Sequence, residues 1–122
     1  MIKGTLIGES LRDGAELKGL RLEVARIWRG PVGETVSGQP QRWTVLDFEA
    51  GEEQAESLAA FLTESLDPDG AWYVDFSTET ETFVAFAGRV CRYARGDVAG
   101  RAVAVDYARS IGIPESQLDW PV

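Results

Sequence analysis

Between Arg42 and Ala87 the apolar residues change their spacing twice, and no other feature of the chain limits its fold as strongly. From Arg42 to Glu49, Thr44, Leu46 and Phe48 alternate with Trp43, Val45 and Asp47, which sets the two groups on opposite faces of a strand. In GEEQAESLAAFLTESLDPDG, Ala55, Leu58, Ala59, Leu62 and Leu66 recur instead at helical spacing. Glutamates crowd the first turn, where the positive end of the helix dipole stabilises them, and Asp67-Pro68-Asp69-Gly70 ends the helix. Alternation then resumes, with Trp72, Val74 and Phe76 facing away from Tyr73, Asp75 and Ser77. The polar run STETET reads as a solvated hairpin tip, and Phe83 to Ala87 as the returning strand.

The flanking segments extend this pattern. Ile2 to Ile7 and Leu20 to Val24 read as strands, with a turn at Asp13-Gly14 between them. After Trp28, RGPVGETVSGQPQR has Gly and Pro without periodicity and is expected to be a mobile surface loop. Gly88 permits a turn or bulge before a short strand from Val90 to Tyr93. Asp97 is placed to cap a helix from Val98 to about Ser110, and Gly112 and Pro114 follow its end. The expected fold is α+β, a two-layer sandwich in which an antiparallel sheet of five or six strands carries both helices on one face, in the order βββαβββα. Residues 1–122 form one domain.

A chain of 122 residues can bury a sufficient core without a metal or disulfide. The MIKGTLIGES start has no long apolar segment, and no apolar run reaches the roughly 20 residues of a membrane helix, so a cytoplasmic location away from membranes is expected. Cys91 is the single cysteine and histidine is absent, which excludes an internal disulfide, a cysteine-cluster zinc site, a Ser-His-Asp or Cys-His pair and an HExxH site. No metal and no cofactor is implied. The net charge of −8 argues against nucleic acid as a partner, because phosphate backbones reward basic groups.

That charge is unevenly laid out. Eleven acids and no Lys or Arg lie between Trp43 and Gly88, whereas Arg89 to Arg109 holds five arginines against Asp97 and Asp106, a local balance of +3. Arg89, Arg92, Arg95 and Arg101 are therefore candidates for an anion site beside the N-terminus of the following helix, where guanidinium forks and backbone N–H groups could grip phosphate or carboxylate. The alternative is that they pair with acids of neighbouring elements. Arg95-Gly96-Asp97 is explained by the capping role of Asp97. Asp47 and Asp75 lie on strand faces, with Tyr73 beside Asp75, as an acid/base pair would require, although an aspartate on a solvated sheet face is commoner. Cys91 reads as buried and inert. Trp72 is expected in the core. Trp28, Trp43 and Val45 are interface candidates, since a sheet face left bare by the helices would expose them as an apolar patch.

Taken together, WYVDF, TFVAFAGRVCRYARGD and GIPESQLDW, with MIKGTLIGESL at the start, resemble a family of small bacterial proteins to which no activity is attached. The resemblance spans nearly the whole chain and implies neither catalytic nor binding residues. The functional expectation is a non-catalytic binding domain, homodimeric, contacting a small anionic ligand or a protein partner through the arginine segment or the tryptophan-bearing face. Two alternatives stand beside it. One is a small acidic inhibitor or immunity-type protein that masks a basic partner. The other is a carboxylate-dependent enzyme with Arg92 as its anion clamp.

Overall fold

The computed structural model describes all 122 residues, Met1–Val122. Six strands and two helices follow the sequence periods: β1 Ile2–Ile7, β2 Glu23–Pro31, β3 Arg42–Ala50, α1 Ala55–Ser65, β4 Tyr73–Ser77, β5 Glu81–Phe86, β6 Arg89–Ala94 and α2 Val98–Ser110. The strands form a single antiparallel sheet in the order β2-β3-β1-β4-β5-β6. This is the expected α+β class. No helix is long and apolar enough to cross a membrane.

The helices, expected on one face, lie on opposite faces. The reason is β5, in which Phe83 and Ala85 point one way and Val84 and Phe86 the other, so neither face can be left wet. On one side, Phe83 and Ala85 join Ile2, Phe48, Val74, Phe76, Leu58 and Leu62 under α1. On the other, Val84 and Phe86 join Cys91, Tyr93, Ala104, Val105 and Ala108 under α2, together with Ile113, Leu118 and Trp120 of the C-terminal tail. The layering is therefore helix, sheet, helix across the β4-β5-β6 half alone. Gly4 serves the α1 side, because a Cβ there would lie 2.6 Å from the ring of its cross-strand neighbour Phe48.

β2 also departs from expectation. It begins at Glu23 rather than Leu20 and runs on through Trp28 to Pro31, taking in three residues assigned to the loop. A register shift between Val24 and Arg26 sets Arg26 opposite Asp47 and Ile27 opposite Leu46, and this bulge hides the alternation. Leu20 and Leu22 still serve the core, half-buried against it from the connection before the strand. The STETET turn is less solvated than expected: Thr78 and Thr82 are buried, and the Thr78 hydroxyl accepts from the N–H groups of Thr80 and Glu81. α2 and its cap match the sequence reading, the Asp97 carboxylate accepting from the Gly100 N–H at 2.9 Å.

Candidate functional site

The four arginines do not converge. Arg92 lies on the α1 side, bonded to Glu56 at 2.9 Å and Glu81 at 2.6 Å, with its guanidinium 4.5 Å from the Phe83 ring centre. Arg89 lies on the other side, 4.3 Å from the ring centre of Tyr107. Arg95 donates to the Thr78 carbonyl, and Arg101 to the carbonyls of Leu118 and Trp120 at 2.8 Å each. Pairing with acids holds for Arg92 alone, and the others brace a ring, a hairpin and the tail. Asp97, as the cap, fills the anion position of α2.

The tryptophan candidates do come together. On the α2 side of the sheet, α2 and the tail cover only the β4-β5-β6 half, and the outward faces of β2, β3 and β1 stay bare. Register sets Trp28 beside Val45, with Ile7 on the far side of Val45 and Trp43 opposite Gly30. Gly30 is needed there, since a Cβ would meet the Trp28 ring at 2.8 Å. Trp28 is 40% exposed, whereas Val45 and Trp43 are half-buried and Trp43 leans on Trp72 with ring centres 5.2 Å apart. Sequence reasoning missed Val24 and Ile27, which lie on the other face of β2 and are 48% and 65% exposed. Their signal was present in EVARIW but broken by the bulge.

Beyond Trp43 the bare face turns polar. Asp47 accepts from Arg26 at 2.8 Å and from the Thr5 hydroxyl at 2.8 Å, and these bonds hold its carboxyl below the usual aspartate range. Lys3 pairs with Ser77 and Gly4 with Phe76, and the same antiparallel step places Thr5 between Asp47 and Asp75. Thr5 and Asp75 line two adjoining clefts. One is a shallow trough with Lys3, Asp47 and Glu49; the other, about 320 Å³, is walled by Ile7, Trp43, Trp72 and Tyr73. Burial pushes the Asp75 carboxyl up, with Asp119 adding to it and its own backbone N–H opposing. Burial likewise pushes the Tyr73 phenol up to about 12, with Asp75 and Asp119 adding and the Trp120 indole N–H opposing. That buried indole N–H faces the Tyr73 oxygen without completing a well-formed hydrogen bond.

Neither Arg89 nor Arg92 lines either cleft, so neither guanidinium stands near the two aspartates as a clamp. Cys91 is buried in the α2-side core. No group of three or more His, Cys, Asp or Glu side chains is arranged to hold a metal ion. No protein-family model, curated protein or solved structure matches the chain.

Proposed function

We propose that the chain is a non-catalytic binding domain that works as a homodimer, joined through edge strand β2 and the apolar side chains on both of its faces. One observation carries this reading: eight of the nine residues of β2 are exposed, Val24, Ile27 and Trp28 among them. An edge strand that long and apolar offers unpaired backbone groups and dry side chains together, which is the geometry of β-strand addition. Its arginines do not oppose self-pairing, because Arg26 is neutralised by Asp47 and Arg29 by Glu9, each at 2.8 Å. An apolar recess of about 380 Å³, lined by Leu17, Leu20, Leu22 and Val24, continues from the same edge.

A second copy suits this edge because antiparallel pairing of identical strands is two-fold symmetric and closes at two chains. Centred on Ile27, such pairing sets Ile27 against itself and Arg26 against the second copy's Trp28, a cation–π contact on the face of Trp43 and Val45. The opposite edge is unsuited, since β6 is six residues long and presents Arg89 and Arg92. Absolute mass by light scattering tests the reading. The wild type is expected at twice the chain mass of 13.4 kDa, and Ile27→Asp, which buries a charge at the two-fold, at the chain mass itself. A wild type that stays at the chain mass at the highest attainable concentration overturns it.

A further inference from the structure

At the smaller cleft beside Asp75, three of the lining donors already have partners. The Tyr73 hydroxyl donates to the Gln117 carbonyl at 3.2 Å, the Thr5 hydroxyl to Asp47 at 2.8 Å and the Trp43 indole N–H to the Pro40 carbonyl at 2.8 Å. What Tyr73 and Thr5 still offer is lone pairs. Between them stands the Asp75 carboxylate, which is absent from every salt bridge and from every side-chain hydrogen bond to another residue. No lysine or arginine lines the cleft, and the exposed carboxylate of Glu34 stands at its rim. The walls are aromatic and apolar, from Ile7, Trp43, Trp72 and Tyr73.

We propose that this cleft binds an organic cation, an ammonium or guanidinium group on an apolar stem, with Asp75 as its counter-ion and Trp43 and Tyr73 as its aromatic walls. The chemistry is complementary in each respect. Such a group brings donors and no acceptors, matching the lone pairs of Asp75, Tyr73 and Thr5, and aromatic walls attract cations through their ring quadrupoles. A volume of about 320 Å³ lies at the small end of ligand sites, enough for a short amine or the end of a basic side chain. A bound cation also reverses the cost of holding the Asp75 charge away from water. The site's counter-ion Asp75 lies on β4, which β1 and β3 separate from the β2 edge, while its Trp43 wall lies on β3 directly beside that edge.

The test uses the full chain and three kinds of probe, followed by tryptophan fluorescence and by backbone amide shifts of Thr5, Trp43, Tyr73 and Asp75. n-Butylammonium and n-butylguanidinium represent a free cation, a capped tetra-lysine peptide represents a basic side chain of a polypeptide, and n-butanol and butyrate are the neutral and anionic controls. Saturable shifts are expected with the cations and not with the controls. Asp75→Asn, which keeps shape and removes charge, is expected to weaken binding at least tenfold, and in the wild type binding should weaken as pH falls through the Asp75 titration. Tighter binding of the peptide than of the amines assigns the cation to a polypeptide, and the reverse to a small molecule. Equal binding of n-butanol, unchanged binding by a folded Asp75→Asn, or no saturation with any cation overturns the proposal.

Discussion

β5 and β2 belong to one sheet and carry similar apolar side chains, yet β5 is almost wholly buried and β2 almost wholly exposed. β5 lies one strand in from the β6 edge, with α1 over Phe83 and Ala85 and α2 over Val84 and Phe86. β2 forms the other edge with neither helix above it, so Val24, Ile27 and Trp28 face solvent. Apolar content in β5 is accounted for by the chain's own fold. In β2 it is not, and this difference is what supports the proposal that the bare half of the sheet carries the contact surface.

The largest expected effect breaks the protected side of this comparison. Phe83 is about 99% buried, stacks on Phe76 at 4.9 Å and lies under the Arg92 guanidinium. Phe83→Ala should cost about 3–5 kcal/mol, enough to lower Tm by roughly 10 °C or more in a domain of this size. Ile27→Ala, measured at concentrations where the chain is monomeric, should stay within about 0.5 kcal/mol of wild type. Calorimetry of the two variants decides it. A dilute Ile27→Ala variant as damaged as Phe83→Ala would mean that β2 is held within its own fold by contacts that its exposure does not reveal.

What could be read from the sequence divides along the same line. Elements whose apolar positions serve one face were legible: α1 with Leu58 and Leu62, β4 with Val74 and Phe76 and with Trp72 just before it, and α2 with its Asp97 cap all fall where periodicity and capping put them. The second helix was set on the wrong face because VAF in β5 is apolar at successive positions, and a period of two cannot say that both faces need a cover. β2 was cut short because its bulge at Ala25 breaks the alternation and Gly30-Pro31 resembles loop chemistry. For the arginines, closeness in sequence suggested closeness in space. On β6, however, Arg89 and Arg92 are three residues apart and so point to opposite faces. Trp28, Trp43 and Val45 could be grouped only conditionally, since strand order decides whether they share a bare face.

A smaller effect sharpens where the protected half ends. Arg101 holds the carbonyls of Leu118 and Trp120, and with Tyr93 bonded to the Pro121 carbonyl it fixes the tail whose Leu118 and Trp120 complete the α2-side core. Arg101→Met keeps much of the aliphatic packing and deletes both bonds, at a cost of about 2 kcal/mol. Amide exchange should accelerate at Leu118 and Trp120 and stay unchanged in β2 and β3. Exchange that accelerates equally in β2 would show that the two halves unfold as one and that the division is only one of exposure.

The smallest effect lies within the bare half, where Asp47 and Asp75 share a face and are shifted in opposite directions. Asp47 titrates lower folded than unfolded, so its bonds with Arg26 and Thr5 add stability above its unfolded pKa, and this is lost as pH falls through the folded value. Asp75 titrates higher folded than unfolded. In the window between its two values the native state binds more protons, so its contribution to stability declines as pH rises and remains unfavourable above that window. At neutral pH Asp47→Asn should therefore lower the denaturation midpoint and Asp75→Asn raise it, the Asp47 effect fading over a range below the ordinary aspartate pKa of about 4 and the Asp75 effect growing over a range above it. Urea titrations across both ranges check the sign. Loss of stability in Asp75→Asn at neutral pH would show that its carboxylate is already satisfied within the fold, and would remove the reason for a cation to bind beside it.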